Sequence, residues 1–85
     1  MLISEGVELI EFRDFGDGNL RVQMAINGTL AQPIDDHRSH MEEFPDDKSY
    51  FLRMAQDSRL LIHLYGDARN PYPPEMASMK SEEGF

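Results

Sequence analysis

The nine residues from Leu20 to Gly28 constrain the fold more than any others. Leu20, Val22, Met24 and Ile26 alternate with Arg21, Gln23 and Ala25. A period of two belongs to a strand with one buried face. Asn27-Gly28 follows at once. This pair is the strongest short hairpin signal, because both central residues of the tightest turn take positive φ. A strand that ends this way doubles back on itself, so the chain must build an antiparallel sheet. Thr29, Leu30 and Ala31 predict a short return strand, stopped by Pro33. Upstream, Val7, Leu9, Phe12 and Phe15 are interleaved with Glu8, Glu11, Arg13 and Asp14. The neighbours Leu9 and Ile10 interrupt that alternation and mark either a bulge or a strand buried on both faces. Gly16-Asp17-Gly18-Asn19 reads as the turn between the two long strands. Residues 7–32 therefore predict a three-stranded antiparallel meander.

After Ile34 the pattern changes. Ser39-His40-Met41-Glu42 fits a capping box, with Ser39 as N-cap and Glu42 reaching back. Pro45 interrupts the turn it would start. From Asp47 to Leu64, Tyr50, Phe51, Met54, Ala55, Leu61, Ile62 and Tyr65 recur at spacings near those of a helix. Asp46 and Asp47 suit the positive end of its dipole. A rival parse breaks this helix at Asp57-Ser58 and makes Leu60–Tyr65 a fourth strand. Short apolar runs do not separate the two. Either way the expected fold is a small α+β domain. A three- to four-stranded antiparallel sheet packs one face on a single main helix, near residues 46–57 or longer. That leaves a sheet face or edge for a partner or a second copy. The domain is expected to span residues 1–66. Residues 67–85 read as a loosely ordered, extended tail, because Pro71, Pro73 and Pro74 exclude regular structure.

Composition removes several classes. With 85 residues the chain is one domain, and it has no Cys. Disulfide scaffolds and Cys-ligated zinc or iron–sulfur sites are excluded. It carries 16 acidic against 8 basic residues, a net charge of -8. A direct nucleic-acid binder would need the opposite balance. No apolar run reaches the length of a membrane span. Met1 to Gly6 lacks the basic stretch of a signal peptide, which points to a cytoplasmic location. A preorganised pocket is hard to build at this size, and no catalytic motif stands out, so no enzyme activity is expected.

Each motif has a plain reading beside its functional one. Asp35, Asp36, Glu42, Glu43, Asp46 and Asp47 place six acids in thirteen residues, against Arg38 alone. They form either a docking face for a basic surface or a solvated face that aids solubility. Glu5, Glu8, Glu11, Asp14 and Asp17 follow one another at intervals of three and alternate between faces on a regular strand. His37 and His40 beside Asp35 and Asp36 have metal-ligand chemistry without a metal-site spacing, so no metal and no cofactor is expected. Asp14-Phe15-Gly16 spells a kinase triplet without the rest of a kinase. Asp17-Gly18-Asn19 lacks the later ligands of a calcium loop. Asn27-Gly28-Thr29 matches a glycosylation acceptor, but the hairpin explains the same residues. His63 lies in an apolar run and reads as a core or rim residue. Asn70-Pro71-Tyr72-Pro73-Pro74 reads as a stiff connector rather than a ligand for a proline-binding module.

Two functional expectations follow. The first is a non-enzymatic inhibitor that docks Asp35, Asp36, Glu42, Glu43, Asp46 and Asp47 on a basic, nucleic-acid-binding surface of a partner protein. In size, acidity and lack of catalytic motifs the chain is similar to small phage and mobile-element inhibitors, anti-CRISPR and DNA-mimic proteins among them. That likeness is one of composition. The second expectation is a small scaffold subunit, a homodimer for instance, pairing through its sheet edge. In that case Leu20, Val22, Met24 and Leu60–Tyr65 would matter and the acids would be solvated.

Overall fold

The computed structural model describes residues 1–70. Its elements run β1 (Leu2–Ser4), β2 (Val7–Asp14), β3 (Asn19–Ile26), β4 (Thr29–Leu30), β5 (Ile34–His37), α1 (Arg38–Met41) and α2 (Asp47–Tyr65). The sheet is antiparallel, and its order is β1-β2-β3 with β4 and β5 both on the far side of β3. One face is covered by α2. This is the α+β arrangement expected from the sequence.

The hairpin forms where Asn27-Gly28 places it. Asn27 has φ 49° and Gly28 φ 83°, so both central residues take the left-handed conformation that this turn needs. Residues 15–18 make the other turn, where Asp14 and Asp17 side chains accept from the N–H of Gly16 and Asn19. Asp14 and Asp17 thus act as local turn acceptors.

The break at Leu9-Ile10 is a bulge. Register with β3 runs Leu9 to Met24 and then Glu11 to Gln23, leaving Ile10 without an opposite residue and 48% exposed. The extra residue shifts phase, so Glu8 and Glu11 share a face, opposite Ala25 and Gln23. Asp14 stands opposite Leu20 and falls on the helix side. The simple alternation expected for the acids at intervals of three is therefore interrupted here.

Two strands have weak sequence signals. β1 adds to β2 through Leu2–Glu8 and Ser4–Val7. β5 pairs β3 from Asn19–His37 to Val22–Ile34, although its residues are Ile-Asp-Asp-His. Aspartate has poor strand propensity. Here each one gains a cation or donor: Asp35 accepts from Arg21 Nε at 2.8 Å, and Asp36 from Tyr50 and His40.

α1 starts two residues earlier than its capping box suggests. His37, not Ser39, is the N-cap, and its Nδ1 accepts from the Ser39 N–H and from the Ser39 hydroxyl. An imidazole nitrogen does what a serine oxygen was expected to do, because β5 delivers His37 in extended conformation at the helix entry. α2 is continuous through Asp57-Ser58, which rules out the strand parse of Leu60–Tyr65. Neither residue costs a helix what Gly or Pro would. Extending an existing helix also needs no new nucleus. Gly66 ends it at φ 78°, and its N–H reaches Ile62 O at 2.7 Å.

The core lies between α2 and the sheet. Val7, Val22, Met24 and Ile26 meet Tyr50, Phe51, Met54 and Ala55, with Ile3, Leu9 and Ile34 packed around them. Beyond Gly66, the Ala68 N–H bonds Leu30 O at 2.7 Å and Arg69 donates to Gly28 O, which seats residues 67–70 beside the β3–β4 hairpin. The rest of the Pro-rich tail, 71–85, lies outside the described residues. Among the described residues, no helix is long and apolar enough to cross a membrane.

Candidate functional site

The six acids of the 35–47 run take different positions. Asp35 and Asp36 are adjacent on a strand, so their side chains leave opposite faces. Asp35 pairs with Arg21 on the face away from α2. Asp36 turns to the helix side and accepts hydrogen bonds from Tyr50 Oη at 2.8 Å and His40 Nδ1 at 2.7 Å. Burial pushes its carboxyl up, but the His40, His37 and Tyr50 hydrogen bonds outweigh this and hold it below the usual range. The same hydrogen bond from His40 to Asp36 raises the imidazole. Burial and then the Asp36 hydrogen bond raise the Tyr50 phenol. Asp36 therefore acts as an internal junction between β5, α1 and α2.

Glu42 ends α1, and Glu43 to Pro45 form the link to α2. Asp46 caps α2, accepting the Ser49 N–H at 2.7 Å, and that bond holds its carboxyl below the usual range. Asp47 opens the first turn. Glu42 and Glu43 thus sit on a different element from Asp46 and Asp47, and the four do not share one helical face.

A groove of about 400 Å³ nevertheless gathers Glu42, Asp46 and Asp47. Its other walls are Phe12 and Asp14 at the end of β2, Arg38 and Met41 from α1, and Phe44-Pro45 from the link. The bulge is what turns Phe12 and Asp14 to this side. Phe12 and Phe44 of this lining are the two ends of an aromatic row. Phe12 meets Phe51 edge-on at 5.4 Å, Phe51 meets Tyr50 at 5.5 Å, and Tyr50 meets Phe44 at 5.7 Å. Asp14 is the fourth carboxylate of the groove, and sequence reasoning did not place it there. Its signal was the adjacent Leu9 and Ile10, since a bulge changes which later residues face the helix.

Arg38 is the groove's cation, and it is ion-paired to Asp14. Among the described residues no ion pair neutralises Glu42, Glu43, Asp46 or Asp47. A second depression, lined by Met1, Leu2, Ile3, Asp47, Lys48 and Phe51, meets the groove at Asp47. Together they follow the β1–β2 side of the sheet beneath the start of α2. Phe12 is 39% exposed there. The site thus combines an exposed aromatic ring with uncompensated carboxylates.

His37 and His40 do not converge. His37 is engaged by Ser39 and lies against Gly18, where an added Cβ would meet its Nε2 at 2.8 Å. His40 is bound to Asp36. Among the described residues no three His, Asp or Glu side chains group as a metal site would require. No family model, no curated protein and no solved structure matches this chain.

Proposed function

We propose that this protein is a non-enzymatic inhibitor that docks its acidic groove on a basic, nucleic-acid-binding surface of another protein. The groove between β2 and the α1–α2 link carries this reading: Asp14, Glu42, Asp46 and Asp47 surround the exposed Phe12, with Arg38 as the cation among them. An interface needs an apolar anchor as well as charge, and Phe12 supplies one. Charge of this density steers a basic partner and repels nucleic acid. Asp35 belongs to a separate part of the surface, and Asp36 serves the fold. The docking set is therefore Asp14, Glu42, Asp46 and Asp47 in the groove, with Glu43 next to it in the α1–α2 link.

The test is the triple variant E42K/E43K/D47K, which leaves the Asp46 cap in place. Capture of a basic partner from host lysate should fall at least about tenfold, the equivalent of 1.4 kcal/mol. Native capture should also weaken between about 0.05 M and about 0.5 M salt as the Debye length shrinks. A folded triple variant that captures the same partner as well as the native chain would sink the reading.

The exposed Leu60, Leu64 and Tyr65 at the end of α2 favour a second reading, a scaffold subunit associating through apolar surface. Sedimentation separates the two. A tight dimer insensitive to salt would support the scaffold.

A further inference from the structure

β2 is eight residues long, while its outer neighbour β1 has three. β1 pairs Val7 and Glu8, and Leu9 completes the contact by exchanging hydrogen bonds with Met1. From Ile10 to Asp14 the inner side of β2 is held by β3, in regular register after the bulge. Among the described residues, no backbone group bonds the outer side of this stretch. An open strand edge is a row of directed donors and acceptors, and another strand is its natural occupant.

The charge around this edge selects the occupant. Residues directly opposite one another on paired strands share a face. A strand added beside β2 would set its own side chains next to Phe12 and Asp14, on the groove side. There it meets the carboxylates of Glu42 and Asp47. A second copy of this chain is a poor occupant, because pairing two β2 edges would bring two such grooves around one axis. A basic segment gains where a second copy loses. We infer that the Ile10–Asp14 edge accepts an extended segment of the partner by strand addition, with an apolar side chain over Phe12 and, two residues along on the same face, a Lys or Arg beside the carboxylates of Glu42 and Asp47. This rests on the reading of a basic partner given above and adds how that partner is held.

The experiment uses the full chain and an eight-residue Lys-Val peptide, Val-Thr-Lys-Thr repeated twice, which sets Val and Lys two residues apart on one face. An analogue N-methylated at every Val and Lys keeps the charge but loses half its backbone donors, those on the side that would face β2. Amide exchange of residues 10–14 is followed by NMR with each peptide. The expected result is exchange slowed about tenfold by the Lys-Val peptide, and binding about tenfold weaker for the methylated analogue, since two or three backbone hydrogen bonds are at stake. Equal binding of both peptides without amide protection would overturn strand addition while leaving charge docking intact. Binding of neither peptide would also overturn it, and E42K/E43K/D47K would then decide the docking reading on its own. Protection of these amides in the protein alone, rising with its concentration, would make a second copy the occupant and overturn the proposal.

Discussion

Asp36 accepts hydrogen bonds from the His37 N–H, the His40 ring and the Tyr50 hydroxyl. The pair it forms with His40 makes stability depend on pH. His40 is raised above its ordinary 6.5, so the folded chain holds that proton more tightly than the unfolded one. Its contribution is fully present below 6.5 and is lost as pH rises through the folded value. Asp36 is lowered from 3.8, so its contribution is present above 3.8 and is lost as pH falls through the folded value. The pair is at full strength between these limits. Denaturant midpoints measured against pH should therefore decline on the alkaline side above 6.5, and His40→Gln should flatten that decline. An unchanged slope in the variant would mean that another group controls it. Ser58 makes the opposite case. Its side chain is fully buried on α2, and its hydroxyl has no hydrogen-bond partner among the described residues. Ser58→Ala removes an unsatisfied group and adds a better helix former. It should stabilise by about 1 kcal/mol, a rise of roughly 4–8 °C in Tm for a domain of this size. A lower Tm would show that the hydroxyl has a partner.

At the scale of elements, α2 matters most, because it covers the sheet and supplies one wall of the groove. Asp46 starts it by capping, and an acid there also suits the dipole. Asp46→Ala should cost about 1 kcal/mol, whereas Asp46→Asn keeps the cap and should cost a few tenths. Thermal melts of the two variants separate the cap from the charge. If Asn proves as damaging as Ala, the carboxylate's charge is what α2 requires. The bulge in β2 acts on function through geometry. Had Ile10 paired with Gln23 in regular register, Phe12 would stand opposite Arg21, away from α2, and the groove would lose its β2 wall.

For the molecule as a whole, charge works against folding and toward binding. A net charge of -8 on 85 residues makes the native state repel itself. Added salt screens that repulsion, so Tm should rise between about 0.05 M and about 0.5 M NaCl, while affinity for a basic partner falls over the same range. Calorimetry and a binding titration in the same buffers check both signs. A Tm that falls with salt would show that ion pairs such as Arg21–Asp35 outweigh the repulsion.

The sequence by itself determined the β2–β3–β4 meander and α2. Each rests on a local rule: alternation on strands, positive φ at Asn27-Gly28, and helical spacing from Tyr50 to Ile62. It left the 58–65 segment open between helix and strand, and continuity with the preceding turns decided for helix. β5 was not legible, because Asp35 and Asp36 lower strand propensity, and the partners that offset this lie at Arg21, His40 and Tyr50, far from them in sequence or on the next element. The acids were legible as a group but not as a surface. One residue of strand register separates Asp35 from Asp36, one bulge brings Asp14 to Glu42, and the α1–α2 link sets Asp46 and Asp47 beside them. Charge is a property of residue types and can be counted along the chain. Which charges stand together depends on register and on the path between elements, and those are settled only when β3 has found its neighbours and α2 has closed over the sheet.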